Sequence, residues 1–140
     1  MDALTPEHRS WNMSRIKSRD TKPEIQLRQL LHKLGFRFRL DSGNRLFGKP
    51  DIVLPKYRTV VFMHGCFWHR HKGCRYCYTP KSRHAFWHKK FEANRARDEK
   101  VRRMLRRLGW KVCVVWECQL SRTNYLANRL SKIRYNNGKQ

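Results

Sequence analysis

DIVLPKYRTVVFMHGCFWHRH, residues 51 to 71, decides how the rest of the chain is read. Two short apolar runs, DIVL and TVVFM, are separated by a break over residues 55 to 58 that opens with proline. That pattern predicts a hairpin with apolar inner strands. Directly behind it come His64, Cys66, His69 and His71, with Cys74 three residues further on. Metal loops usually space their ligands with small or polar turn residues, yet Phe67 and Trp68 stand side by side in the middle of this one. Two large rings at that place need a reason of their own.

Upstream, TKPEIQLRQLLHKLG carries a helix start: Thr21 can cap, Pro23 falls in the first turn, and Glu24 completes a Thr-x-x-Glu capping box. Leu27, Leu30, Leu31 and Leu34 then share one face, and Gly35 ends the helix. FRFRL, residues 36 to 40, alternates like a strand. Downstream, residues 81 to 108 return to helical spacing, with Trp87, Phe91, Val101, Leu105 and Leu108 near one face amid many Arg and Lys. Gly109 stops that helix, and WKVCVVWEC (110–118) predicts a buried strand on which Cys113 is plain core. The order of elements predicts an α/β fold, a mixed central sheet flanked by helices. Residues 21–130 form one domain in this reading, after a basic arm over 1–20 and before a disordered tail over 131–140.

Charge narrows the partner. Lys and Arg number 33 against 10 Asp and Glu, for a formal net charge of +23 over 140 residues. Such an excess strains a compact fold by self-repulsion and favours a polyanion, with nucleic acid foremost because each neutralised phosphate releases counterions. A membrane surface fits less well, since the charge runs along the whole chain and no segment is apolar enough to span a bilayer. The opening MDALTPEHRSWNM lacks the apolar run of a secretory signal, so a cytoplasmic protein is expected. Five cysteines, an odd number, then read as metal ligands and spares and not as a disulfide framework.

The metal reading can be made specific. Cys66, His71 and Cys74 can fold back on one ion, and Cys118 can complete the set if its strand lies beside the one ending at Met63. Three thiolates and an imidazole suit a closed, tetrahedral, structural Zn²⁺. A rival set uses Cys77 through Cys74-x-x-Cys77, and spacing does not separate the two. Closed zinc sites do not hydrolyse, so chemistry needs other groups. Asp51, after Gly-Lys-Pro at the head of DIVL, can hold Mg²⁺ through oxygen, although Pro-Asp is also a common turn. If the hairpin pairs as expected, Asp51, the Met63 carbonyl, His64 and His69 meet at one sheet edge. A histidine there can take a proton from an attacking water. Glu24 has the simpler role of capping carboxylate, and Trp87 and Met13 read as core.

NMSRIKSRDTKPE, FGKPDIVLPKYRTVVFMHGCFWHRH, RARDEKVRRMLRRLGWKV and VVWEC, in this order over residues 12 to about 120, resemble the very short patch repair (Vsr) mismatch endonucleases. The resemblance implies a restriction-endonuclease-like fold with a structural zinc. It also implies a Mg²⁺-dependent nick on the 5′ side of the thymine in T:G mismatches, which arise when 5-methylcytosine deaminates. On this resemblance Asp51 and the Met63 carbonyl bind Mg²⁺, His64 and Glu24 order the surrounding waters, and His69 is the general base. Cys66, His71, Cys74 and Cys118 hold zinc. Phe67, Trp68 and Trp87, with Met13 from the opposite groove, wedge between base pairs, which answers why rings interrupt the metal loop. The implied partners are mismatched double-stranded DNA and, functionally, a cytosine-5 methyltransferase; the protein is expected to act as a monomer.

The chain departs from the family pattern in places. Met63 stands where the family has threonine, which matters little if only the carbonyl is used. His71 and Cys74 are one residue further apart than the family's His-x-Cys. The Glu-x-Lys half of the wider nuclease signature is missing, and His64 takes its place. A non-catalytic zinc-containing nucleic-acid-binding protein would explain the charge and the Cys/His cluster equally well. It would leave the Asp51 strand beside His64 and His69 unexplained.

Overall fold

The computed structural model describes residues 21–40, 46–75 and 77–136. The expected arm over 1–20, Met13 included, lies outside the described residues. The elements run α1 (Lys22–Lys33), β1 (Ile52–Leu54), a 3₁₀ turn (Pro55–Tyr57), β2 (Thr59–His64), α2 (His84–Arg107), β3 (Lys111–Trp116), a second 3₁₀ turn (Glu117–Ser121) and α3 (Thr123–Asn136). As the sequence predicts, Thr21 caps α1, its hydroxyl accepting from the Glu24 amide at 3.4 Å.

The three strands form one mixed sheet in the order β1-β2-β3. β1 pairs antiparallel with β2, Ile52 opposite Val61 and Leu54 opposite Thr59. β2 pairs parallel with β3, from Thr59 opposite Lys111 to His64 opposite Trp116. Alternation along the strands splits the core in two. Ile52, Leu54, Val61 and Val115 pack with Leu27 and Leu31 of α1 and Leu126 and Leu130 of α3. Val53, Val60 and Phe62 face the other way and pack with Leu105 of α2. β2 is therefore buried on both faces, which is why TVVFM reads as a continuous apolar run. The four leucines of α1 and α3 named here have no exposed surface. At about 1.5–3 kcal/mol for each fully buried side chain, that face carries much of the stability.

Some expectations are corrected. FRFRL is not a full strand: it meets the sheet at one bridge, where Arg39 and Val53 exchange both backbone hydrogen bonds at 2.8 Å. β1 is only three residues long and offers that segment little ladder. β3 is less buried than its sequence suggests, with Val115 alone fully covered, because it forms the sheet edge. Leu108 is exposed and caps α2 instead of packing under it. The C-terminal segment continues as helix past residue 130: Ile133 packs on the core, and Arg134 donates to the Leu34 carbonyl at 2.6 Å while stacking on Phe36.

Gly48 leads into Pro50 and Asp51 with φ +81, and a Cβ there would overlap the Val101 side chain on α2. Gly48→Ala is expected to destabilise the protein by about 1–3 kcal/mol through overpacking added to backbone strain. Gly73, at φ +75 with open space around it, supplies the control for strain alone. Denaturant midpoints of the two alanine variants check this. Equal losses would remove the close approach to α2 as the cause.

Candidate active site and metal centre

The parallel register builds the site. His64 lies opposite Trp116, so two residues further on Cys66 and Cys118 run alongside each other, with the Cys118 amide donating to Cys66 Sγ at 3.4 Å. The intervening loop closes by short backbone bonds, His71 N to the Cys66 carbonyl at 3.0 Å and Cys74 N to the His71 carbonyl at 3.3 Å. Ligand atoms of Cys66, His71, Cys74 and Cys118 consequently lie within 4.8 Å of one another. A tetrahedron with Zn–S bonds of about 2.3 Å has edges of roughly 3.8 Å, so small side-chain adjustments let this set close on one ion. The His71 ring is stacked on Trp116 at 4.2 Å and is thereby fixed in orientation. Burial pushes the Cys66 thiol up to about 12 and raises Cys118 as well. A bound cation has to displace those protons. Cys77, the rival ligand, is outside the cluster and lines the neighbouring cleft.

A separate cleft, about 510 Å³ and not lined by Cys77, is bounded by Glu24, Asp51, Met63, His64, His69 and Asp98 among others. They come from five parts of the chain: α1, the approach to β1, the end of β2 (Met63 and His64), the metal loop and α2. Asp51 Oδ2 accepts from the Met63 amide at 2.7 Å across the hairpin. Burial pushes the Asp51 carboxyl up to about 6; the Met63 bond opposes this and the charge of Glu24 adds to it. Two carboxylates sharing a desolvated cleft repel, and a hard divalent cation relieves both costs, so the donor set fits Mg²⁺. Glu24 is only 8% exposed, with Arg28 3.4 Å from its carboxylate. It therefore faces the cleft while its backbone serves the cap.

His64 and His69 stack with centroids 3.9 Å apart and planes at 7°. Burial, reinforced by the nearby charge of His69, lowers the His64 pKa to about 4, so its ring is neutral at pH 7. His69 Nδ1 sits 2.6 Å from Asp98 Oδ2. Burial alone would raise Asp98, but the His69 hydrogen bond and the surrounding positive groups hold it below the usual carboxylate range. An imidazole tied at Nδ1 by a carboxylate has a fixed tautomer and a supported positive charge, so its other nitrogen can accept a proton. Sequence reasoning missed Asp98. A signal existed: Asp98 lies seven residues after Phe91 and seven before Leu105, on the apolar face of α2.

The aromatic pair does not project freely. Phe67 touches Trp68, Tyr78, Trp87 and Phe91 at centroid distances of 4.8 to 5.6 Å. Arg70 lies over Phe91 at 4.1 Å and ties the knot to the Tyr78 carbonyl at 2.8 Å. Trp87 is buried, and its indole N–H has no hydrogen-bond partner among the described residues.

The raised Asp51 pKa has a consequence for stability. A carboxyl that binds its proton more tightly when folded destabilises the fold as pH rises from its unfolded value of 3.8 through about 6. Asp51→Asn keeps an acceptor for the Met63 amide and removes that penalty. In magnesium-free buffer the variant is expected to be more stable than wild type at pH 8, by up to about 3 kcal/mol. The difference should shrink toward pH 4. Denaturant unfolding at both pH values measures it, and a variant less stable than wild type at pH 8 would contradict the assignment.

Comparison with known proteins identifies the family. Residues 1–75 match the family model described as DNA mismatch endonuclease Vsr. A type II nicking enzyme of Xanthomonas oryzae pv. oryzae is 50% identical over 132 residues, covering 94% of this chain and 96% of that protein. Another from Neisseria meningitidis serogroup A is 46% identical, covering 94% and 93%. The DNA mismatch endonuclease Vsr of Escherichia coli K12 is 44% identical over 115 residues, covering 80% of this chain and 70% of that one. With half its residues matched by the family model and relatives this similar along nearly its full length, the chain belongs to the Vsr family of DNA mismatch endonucleases.

Proposed function

We propose that this protein is a Mg²⁺-dependent endonuclease that nicks double-stranded DNA 5′ to the thymine of T:G mismatches left by deamination of 5-methylcytosine. It would thereby repair sites made by a companion cytosine-5 methyltransferase. The observation that carries the proposal is the meeting of Asp51 and Glu24 with the His69–Asp98 pair in one cleft. A nucleic-acid-binding module without catalysis has no use for such a meeting. Family membership speaks against that alternative as well.

Asp51 and the Met63 carbonyl are the proposed Mg²⁺ ligands. When bound, the ion supplies positive charge to the scissile phosphate. His69 accepts the proton of the attacking water, while Asp98 holds its tautomer and supports the imidazolium that forms. Neutral His64 and the Glu24 carboxylate orient water beside it. Arg97 and Arg102, on the α2 wall of the cleft, face the phosphate backbone. Zn²⁺ on Cys66, His71, Cys74 and Cys118 is structural in this reading, fastening the loop to the end of β3. The restriction-endonuclease-like fold fits the mixed sheet with helices on both faces.

Phe67, Trp68 and Trp87 are the proposed wedge, joined by Met13 from the arm over residues 1–20. Inserting rings between base pairs costs a few kcal/mol of stacking per step, and least where a pair is already mismatched. Preference for T:G over a paired duplex follows from that difference.

Single-turnover nicking of a T:G duplex with Mg²⁺, beside a fully paired control, tests the whole reading. Asp51→Asn should abolish nicking while staying folded. Asp98→Asn should slow it by roughly 10²–10⁴-fold, the usual range of general-base catalysis. Trp68→Ala should weaken binding to the mismatched duplex more than to the paired one. Near wild-type nicking by Asp51→Asn would put the active site elsewhere.

The zinc assignment has a separate check. About one tightly held Zn²⁺ per chain is expected from elemental analysis of protein purified without added metal. Cys118→Ser should lose the ion and much of the stability, because the binding energy of such a site is folding energy. Cys113→Ser, in the core, should keep it. A folded wild-type chain free of zinc would end the assignment.

A further inference from the structure

The cleft holds a second group of donors with a different preference. His64, His69 and Asp98 present ligand atoms that all lie within 4.8 Å of one another. They come from the end of β2, the metal loop and α2, so the fold itself brings them together. Two imidazoles and one carboxylate, His64 buried and His69 and Asp98 partly exposed, form a donor set suited to Zn²⁺, Co²⁺, Ni²⁺ or Fe²⁺, with positions left for water on the cleft side. Mg²⁺ prefers oxygen and would not compete well for the two nitrogens. We propose that His64, His69 and Asp98 form a second, inhibitory metal site that takes a borderline divalent ion such as Zn²⁺ or Co²⁺, distinct from both the Cys₃His centre and the Asp51 position.

The geometry allows it at small cost. His69 Nδ1 and Asp98 Oδ2 are 2.6 Å apart, and an ion taking the place of the shared proton needs roughly 3.0–3.4 Å between donors bonded at about 2.1 Å. The His69 and Asp98 side chains are 26% and 21% exposed, so that opening displaces no core residue. The His64 ring already lies parallel to His69, and leaving their stack brings its nitrogen toward the same ion. Arg97 and Arg102 on the cleft wall oppose any cation, so affinity comes from direct coordination and not from long-range attraction. The inhibitory consequence rests on the proposed role of His69, because an ion there consumes the proton acceptor. The site itself does not depend on that role.

Cobalt titrated into zinc-loaded protein supplies a readout independent of catalysis. Visible absorption is expected to report a Co²⁺ bound through nitrogen and oxygen, without thiolate charge-transfer bands and without release of zinc. His69→Gln should weaken that binding by at least about tenfold, as loss of a direct ligand exceeds loss of an outer partner. His64→Ala should do the same if the glutamine variant proves unstable. Asp51→Asn should retain the ion, and Arg102→Gln should bind it more tightly. Titrating Zn²⁺ into the Mg²⁺-supported nicking reaction should inhibit it. Absence of bound Co²⁺, sulfur-type bands, or wild-type affinity in both His69→Gln and His64→Ala would overturn the site. Binding at these residues without inhibition would leave the site standing and overturn the assignment of His69 as proton acceptor.

Discussion

The parallel pairing of β2 with β3 is the constraint on which the rest of the molecule depends. With His64 opposite Trp116, the two chains leave the sheet side by side, and Cys66 and Cys118 meet without any further folding of the loop. The same register sets His71 against Trp116 and turns the end of β2 toward Asp51. A slip of one residue would send every β2 side chain to the opposite face. The two-sided core resists that slip, because Val60 and Phe62 pack under α2 while Val61 faces α1 and α3. Core packing thus fixes the positions of the chemical groups, and a metal on the cysteines would lock what the core has already aligned.

Stability and chemistry pull against each other in the cleft. Asp51 and Glu24 keep two carboxyl groups in a desolvated space, and the raised Asp51 pKa is the measure of that tension. His64 is held neutral by the same desolvation, while Asp98, tied to His69, is kept ionised against it. Neighbouring groups pushed in opposite directions are the usual mark of a site arranged for proton movement. A more stable cleft, with an amide in place of Asp51, is expected to be an inert one.

Much of this was legible in the sequence, for identifiable reasons. The hairpin, the capped first helix, the long second helix and the final strand are periodic or punctuated by Pro and Gly, and those signals are local. The place of Cys118 in the Cys/His cluster was legible only conditionally, since it required the last strand to lie beside β2. Spacing could not choose between Cys77 and the other candidate ligands, because the turns that carry Cys77 away from the cluster depend on the folded loop. FRFRL failed because alternation records which face is apolar and not whether a partner strand is long enough to pair. Asp98 was hidden by its surroundings: RARDEKVRR reads as a solvated charged face until Phe91 and Leu105 are seen to fix its direction.

The aromatic knot links the metal loop to α2 and is less secure than its contacts suggest. Phe67 and Trp68 are half-buried against Trp87 and Phe91, which favours the closed arrangement by area alone. Trp87 nevertheless buries an indole N–H with no acceptor among the described residues, and a donor left in that state costs about 1–3 kcal/mol. That cost offsets part of the packing gain, so the knot sits nearer to opening than an apolar cluster of equal size. Its backbone does not share this looseness. Gly65 and Cys66 accept from the amides of His69 and His71, and Asn94 holds the Trp68 carbonyl from α2. Rings that can part on a firmly bonded loop are the mechanical requirement of the proposed wedge, and an ion held by the proposed ligands on both sides of Phe67 and Trp68 would stiffen that loop further.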